Sequence, residues 1–211
     1  ISDILVYSVN VTPPISDFDG IAGTYASQII TIANAKGLTF GFKELLYRSD
    51  VDGYSSSTFH TKCDNKGPTV VLYQMSNGDI IGGYNPNSWT TSGNWGTGST
   101  SGSNTHFLFC IKINGVISLK GWQLTNSSYG NYNHSSYGPT FGGGHDLYTS
   151  GMSNVYFSLN NTYEKVFGDY SNPANSSSVS AGDIEVWGVL PRTFPSLSIN
   201  SAQEETLLEI F

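Results

Sequence analysis

A glycine-rich segment carries the densest set of chemically useful residues in the chain. Three consecutive glycines, Gly142, Gly143 and Gly144, are followed directly by the imidazole of His145 and the carboxylate of Asp146. Glycine runs occur where the backbone needs positive φ or where another group approaches it closely. The segment is therefore either a loop that presents amides and a His-Asp pair to a ligand, or a tight corner before a strand at 147–149. In the second interpretation, which the residues favour, the carboxylate satisfies turn amides.

The cysteine at position 63 is the second candidate for chemistry. Cys63 with His60 or His145 is a possible nucleophile-base combination. A reactive thiol needs an electropositive, partly exposed setting that lowers its pKa. Asp64 follows it directly, and Cys110 lies in an apolar segment, where it is poorly placed as a resolving thiol. The sequence therefore favours a buried, structural cysteine under a short helix.

Metal coordination and carboxylate chemistry are weakly indicated. Suitable zinc-binding side chains have spacings that match no zinc signature; they are His60, Cys63, Cys110 and His145. The segment 50–65 resembles a calcium loop only faintly, because the register and the final Glu are missing. Glu185 alternates with apolar neighbours, so we predict a structural carboxylate that pairs with Arg48 or hydrogen-bonds a loop. We expect no catalytic activity, no resident metal and no cofactor.

The composition indicates a folded, β-rich single domain. Of the 211 residues, 13 are Tyr, 11 Phe and 4 Trp, whereas disordered chains are poor in aromatic residues. The net charge is −7, so no basic stripe is available for phosphates and nucleic acid is an unfavourable partner. No apolar run reaches the length of a bilayer span, so membrane insertion is not expected. Composition leaves the oligomeric state open.

Hydrophobic periodicity predicts which of these residues lie in helices and which lie in strands. It predicts a helix from 17 to 36, a short helix through Phe59, His60 and Cys63, and a final helix after Ser201. Strands are predicted at 4–11, 39–48, 69–75, 80–84, 105–113, 116–119, 147–149, 155–159 and 184–189. The segments 49–53 and 123–133 are predicted to be a turn and irregular chain. The polar segment 86–104 is predicted to be a long surface loop whose Trp89 and Trp95 pin it to the body or offer a contact surface.

Five segments occur together in an order typical of one family. They are LLYRSDVDGYSSSTFHTKCDNKGPTVVL (45–72), GDIIGGYNPNSW (78–89), HFLF (106–109), SSYGPTFGGGHDLYTS (135–150) and IEVWGV (184–189). In this order they resemble TLDc domains over residues 37–189. Three parts of these segments carry the resemblance. They are the part with Phe59, His60 and Cys63, the residues 142–146, which we call the glycine corner, and the part with Glu185 and Trp187.

The resemblance implies a fold and a role. The fold is a mainly β, two-sheet antiparallel β-sandwich with a few helices. The role is non-catalytic: family members are linked to oxidative-stress resistance, and some bind the vacuolar proton pump. We therefore expect residues 37–190 to form the TLDc domain. Residues 1–36 would be a strand and helix packed on it, and 191–211 an extension with a short amphipathic helix.

Three functions are compatible with these patterns. The first is a cytoplasmic protein-interaction module that docks on a large assembly through its loops and the apolar residues of its terminal helix, Leu207, Leu208 and Phe211. The second is a secreted or cell-surface glycoprotein carrying N-glycans on some of Asn10, Asn126, Asn133, Asn160 and Asn175. The third is a thiol-dependent antioxidant enzyme using Cys63. The chain starts at Ile1, so we interpret it as a processed product or a piece of a longer polypeptide.

Overall fold

The computed structural model describes residues 19–98, 105–157, 162–164 and 178–191. In this part of the chain three helices precede or interrupt a series of antiparallel strands. The helices are α1 (Gly20–Ala35), α2 (Ser49–Asp52) and α3 (Ser56–Cys63). The strands are β1 (Phe40–Arg48), β2 (Thr69–Met75), β3 (Ile80–Asn85), β4 (Ser92–Gly96), β5 (Phe107–Ile113), β6 (Val116–Gln123), β7 (Asn131–His134), β8 (Tyr137–Phe141), β9 (Leu147–Ser150), β10 (Asn154–Phe157) and β11 (Ser178–Pro191).

The strands form two facing halves joined by β11. The first half contains β1, β11, β2, β3, β5 and β6, and the second runs β4-β7-β8-β9-β10. The beginning of β11, at 178–180, pairs with β10, whereas its later residues pair with β2 and β1. All these pairings are antiparallel, so the expected mainly β, antiparallel sandwich is confirmed. The two halves belong to one continuous, open sheet that β11 carries from one layer to the other.

Two apolar cores lie on opposite faces of the first half. The inner core fills the space between the halves and includes Val71, Tyr73, Leu108, Phe141, Leu147, Val155, Ile184 and Val186. The outer core lies under α1 and includes Ile29, Ile32, Val70, Leu72, Phe107, Phe109, Trp187 and Val189. Alternation along β2 and β11 sends neighbouring side chains to different cores, as the two-residue period of a strand requires. The described part of the chain therefore has three layers: helix α1, the first half of the sheet and the second half.

Helix α1 is the predicted amphipathic helix. Its buried stripe consists of Ile21, Ala22, Ile29, Ile32 and Ala33. The helix ends at a glycine with φ of 73°, Gly37, whose N–H donates to the Asn34 carbonyl while the Leu38 N–H donates to the Ala33 carbonyl. These bonds form the pattern of a Schellman cap, in which glycine takes the left-handed residue after the helix.

Several local predictions are corrected. The predicted loop 86–104 contains strand β4, which pairs with β7, and the predicted irregular segment 123–133 includes the start of β7. The predicted turn 49–53 is mostly the short helix α2. Trp89 pins its segment as predicted, because its side chain is fully buried and its Nε1 donates to Thr69 Oγ1 at 2.8 Å. The predicted strand at 4–11 and the terminal helix lie outside the described residues.

Candidate functional site

The glycine corner is a turn between β8 and β9. The N–H of His145 donates to the carbonyl of Gly142 at 3.0 Å, which closes the turn. Gly142 has φ of 86°, and a Cβ on it would overlap Asp146 Oδ2. Glycine is thus required here both by the left-handed backbone and by the close approach of a carboxylate. The structure confirms a tight corner feeding the strand at 147–149.

The carboxylate of the corner is a structural anchor. Asp146 is only 2% exposed, and its Oδ2 accepts from Thr162 Oγ1 at 2.8 Å while its Oδ1 accepts from the Thr162 N–H at 3.3 Å. Thr162 Oγ1 in turn accepts from the Gly143 N–H at 2.8 Å. These bonds differ from the predicted contact with the amides of its own turn, because Asp146 fastens the corner to the separate segment 162–164.

The imidazole of the corner points the other way. His145 takes a left-handed backbone conformation, with φ of 58°, and its ring lies against aromatic side chains on the solvent side of the second half. Burial lowers the pKa of His145, and the nearby Asp146 charge opposes this shift only in part. The structure therefore separates the two residues of the His-Asp pair, so that they do not act together on one ligand.

Helix α3 uses its polar residues to join elements. Ser55 accepts from the Thr58 N–H, as expected for an N-cap. His60 Nδ1 lies 2.7 Å from Asp64 Oδ1, and its Nε2 lies 3.0 Å from the carbonyl oxygens of His134 and Tyr137. This imidazole therefore connects α3 to the β7–β8 hairpin. It is not free to act as a base toward a substrate.

Both cysteines are free and buried. Cys63 is fully buried in the inner core with Phe59, and burial, followed by the charge of Asp64, raises the pKa of its thiol. Burial likewise raises the pKa of Cys110 to about 11, and its Sγ donates to the Ser118 carbonyl at 2.9 Å. Both shifts disfavour the thiolate that nucleophilic chemistry needs. The predicted structural cysteine fits this setting.

Glu185 is a buried carboxylate at the start of α1. Its Oε1 accepts from the Ile21 N–H at 2.8 Å, and its Oε2 accepts from the Ala22 N–H at 3.0 Å and from Trp187 Nε1 at 2.9 Å. Burial raises the pKa of this carboxyl group, while the three donors oppose the rise. The prediction of an Arg48 pair or a loop contact is therefore wrong in detail: the carboxylate holds a helix N-terminus.

Arg48 belongs instead to a charged cleft of about 540 Å³ beside β1. Its guanidinium lies 2.8 Å from Asp50, 3.1 Å from Asp19 and 3.4 Å from Asp183. Lys43 and Lys62 also line the cleft, each paired with a neighbouring carboxylate. The sequence did not reveal this cleft, because its charges come from four separate segments.

An aromatic row on the second half was also missed. The rings of Trp95, Tyr132, Tyr137, Tyr148 and Tyr156 follow one another across neighbouring strands, with His145 among them. A signal was present, because each strand of this half contains a Trp or a Tyr. Its use required the strand order, which local sequence does not give.

The remaining predictions concern the terminal residues, metal binding and membrane spans. Leu207, Leu208 and Phe211 lie outside the described residues. Within the described ranges no group of three or more His, Cys, Asp or Glu side chains is arranged to hold a metal ion. No helix in those ranges combines the length and the apolar composition needed to cross a membrane.

The comparisons with known proteins support one family. No curated protein matches the chain. The family model described as TLDc domain matches residues 21–190, which is most of the chain. This match begins at α1, earlier than the segment on which the sequence resemblance rested, and it includes Glu185 together with the helix that Glu185 holds. The chain belongs to the TLDc domain family.

Proposed function

We propose that this chain is a non-catalytic, cytoplasmic protein-docking module of the TLDc type. It serves a large assembly such as a vacuolar-type proton pump and contributes to oxidative-stress resistance. The observation that carries the proposal is that the candidate catalytic side chains are engaged in holding elements together: His60 joins α3 to a hairpin, Asp146 anchors 162–164, and Glu185 holds α1. Cys63, buried with a raised thiol pKa, gives no support to the thiol-enzyme alternative.

The charged cleft beside β1 is the surface we assign to docking. It presents exposed Lys43 and Glu44 next to exposed Val51, which is 74% accessible, and to Leu45. A mixture of both charge signs with apolar side chains suits a protein surface, since complementary charges fix register while apolar contacts supply affinity.

The edge strand itself is protected from pairing with a partner strand. Two register shifts interrupt the pairing of β1 with β11, one between Phe42 and Glu44 and one between Leu45 and Tyr47. Bulges and an exposed lysine are devices that prevent strand addition at a sheet edge. The partner therefore docks through side chains in the cleft rather than by extending the sheet.

The test is affinity purification of the tagged full chain from the cells that express it, with identification of the recovered subunits by mass spectrometry. We expect the native chain to recover subunits of a proton pump and the Lys43→Glu variant to recover at least several-fold less. Lys120→Glu, the same charge change on exposed β6, is the matched control and keeps native recovery. Absence of pump subunits with the native chain contradicts the assembly, and equal recovery with Lys43→Glu contradicts the cleft.

The glycoprotein alternative has one favourable observation. Asn126 is exposed in a turn, where its Oδ1 accepts from the Ser128 N–H, so a glycan there has room. Asn133 is 5% exposed and accepts from the Thr90 N–H and Asn131 Nδ2, so a glycan there would break these contacts. Asn10, Asn160 and Asn175 lie outside the described residues. A mass loss of the native protein on glycosidase treatment would favour this alternative over the cytoplasmic module.

A further inference from the structure

Each of the five neighbouring strands in the second half of the sandwich carries a partly exposed Trp or Tyr ring. These rings are Trp95 on β4, Tyr132 on β7, Tyr137 on β8, Tyr148 on β9 and Tyr156 on β10. We call them the aromatic row. With strands about 4.8 Å apart, the row extends about 19 Å across the sheet. A feature of this length suits an extended ligand more than a compact one.

Consecutive rings of the aromatic row touch. The ring centroids of Trp95 and Tyr132 lie 4.4 Å apart, and those of Tyr148 and Tyr156 lie 4.8 Å apart in a stacked pair. Tyr137 bridges the two pairs, with its centroid 6.0 Å from that of Tyr132 and 6.1 Å from that of Tyr148. Trp95 is the cross-strand partner of Tyr132, and Tyr148 is that of Tyr156, so the strand register fixes both pairs.

These rings face away from the inner core. Leu147 and Val155, which neighbour Tyr148 and Tyr156 in sequence, are fully buried between the halves, so the alternating tyrosines point to the opposite side. All five side chains of the row are partly exposed. Among the larger contacts between elements of the described chain, one helix meets the second half: α3 contacts β8, and its Phe59 and Cys63 lie in the inner core.

The glycine corner supplies a sixth ring at the middle of the row. The His145 imidazole lies 5.1 Å from the Tyr137 ring and 5.0 Å from the Tyr148 ring. It reaches this place because the turn gives it a left-handed backbone, a conformation that is uncommon for residues other than glycine. The corner therefore positions a polar ring within the row while Asp146 holds the turn from below.

The strands under the row carry no formal charge. Their sequences, SGNWG, NYNH, YGPTF, LYTS and NVYF, contain no Asp, Glu, Lys or Arg. Single-stranded nucleic acid also stacks on aromatic platforms, but its binding sites track the phosphates with a positive groove, which these strands lack. A charged polymer would find no counter-charges on these five strands.

We propose that the aromatic row binds a neutral polysaccharide chain. The apolar C–H faces of successive sugar rings would stack on the aromatic side chains. The hydroxyl groups would exchange hydrogen bonds with the tyrosine hydroxyls, His145 and the exposed side chain of Ser150, which lies two residues from Tyr148 on the same face of β9. An uncharged polymer of flat units matches a long row of rings without formal charge. This inference concerns a different surface from the docking cleft and does not rest on the proposed function.

The test is co-sedimentation of the full chain with insoluble cellulose, chitin and β-1,3-glucan, with anionic polygalacturonate as the charged comparison. We expect retention on at least one neutral polysaccharide and none on polygalacturonate. Tyr132→Ala and Tyr148→Ala should each weaken binding about tenfold, the order of one lost stacking contact. Tyr148→Phe keeps the ring and should keep most of the affinity. Tyr54→Ala, at an exposed tyrosine outside the row, is the control and should bind as the native chain does.

A second measurement on the native chain avoids any dependence on variant folding. Nitration of tyrosines followed by peptide mass mapping should show Tyr132, Tyr148 and Tyr156 shielded by a soluble oligosaccharide of the retained polymer, while Tyr54 stays reactive. Failure of the native chain to sediment with every neutral polysaccharide overturns the proposal, as does unchanged binding by folded Tyr132→Ala and Tyr148→Ala. Capture of a protein through the row, without polysaccharide binding, would instead assign this face to protein docking.

Discussion

At the scale of single residues, a comparison of two glycines distinguishes the cost of backbone strain from the cost of steric overlap. Gly78 and Gly142 have almost the same φ, 84° and 86°. A Cβ on Gly78 would meet nothing, whereas one on Gly142 would overlap Asp146 Oδ2. We expect Gly78→Ala to cost about 1–2 kcal/mol for the left-handed backbone, and Gly142→Ala to cost about 1–3 kcal/mol more because of overpacking. Urea unfolding of both variants measures the difference, and equal losses would contradict the role given to the close approach.

A buried histidine gives a pH dependence of stability. His106 is fully buried, and burial lowers the pKa of its imidazole to about 4, with a hydrogen bond to Asn131 opposing. Because the unfolded chain takes up this proton near pH 6.5 and the folded chain only near pH 4, stability is full above pH 6.5. It falls by up to about 3 kcal/mol as pH drops through this window.

The variant His106→Gln distinguishes the contribution of His106 to the pH dependence of stability from that of the carboxylates that titrate in the same range. Its free energy of unfolding should fall less steeply than that of the native protein between pH 6.5 and 4, whatever its absolute stability. Denaturant titrations at several pH values measure both slopes. Parallel slopes for the two proteins would show that His106 is not held neutral in the folded state.

At the scale of elements, the start of α1 depends on a carboxylate from β11. Glu185 replaces the missing intrahelical partners of the Ile21 and Ala22 amides. In Glu185→Gln, one acceptor becomes an NH₂ group facing donors, so we expect a loss of about 1–3 kcal/mol and faster amide exchange in α1. Glu44→Gln, with a side chain 51% exposed, is the control and should change stability by less than about 0.5 kcal/mol. A loss without faster exchange in α1 would argue against the anchor.

Elements were predictable where their signal is local. The α1 stripe with Gly37, a serine among residues 55–57 as the cap of α3, and the hairpin between β2 and β3 all follow from spacing and turn residues. The missed features depend on distant partners. Strand β4 has the composition of a loop and becomes a strand by pairing with β7, and the two backbone donors of Glu185 lie 163 and 164 residues away. Propensity cannot specify such contacts, because tertiary context decides them.

The candidate site divides in the same way. The glycine corner was recognisable because three glycines in a row restrict the backbone options. The opposite directions of His145 and Asp146 were not, since they depend on the φ of 58° at His145 and on Thr162 arriving from another segment. The aromatic row required the order of five strands. Three adjacent pairs, β7–β8, β8–β9 and β9–β10, are connected by a few residues, but β4 comes to β7 from a distant part of the sequence.

At the scale of the whole molecule, β11 makes the two cores depend on each other. Ile184 and Val186 pack in the inner core, while Trp187 and Val189 pack in the outer core under α1. Loss of either core removes the support of this strand, so we expect the described domain to unfold in one cooperative transition. Ile29→Ala in the outer core and Leu147→Ala in the inner core should each cost about 2–5 kcal/mol.

The coupling of the two cores is tested by comparing the unfolding midpoints that two spectroscopic probes report. Far-ultraviolet circular dichroism and tryptophan fluorescence should report the same midpoint in each variant, as two-state unfolding requires. Val116→Ala, at a side chain 66% exposed on β6, should leave the midpoint almost unchanged. If Leu147→Ala instead produced a state that keeps α1 and the first half folded while the second half is open, β11 would be a hinge between two units. The cleft beside β1 and the aromatic row could then bind their partners independently, whereas a single transition makes the stability of each surface depend on both cores.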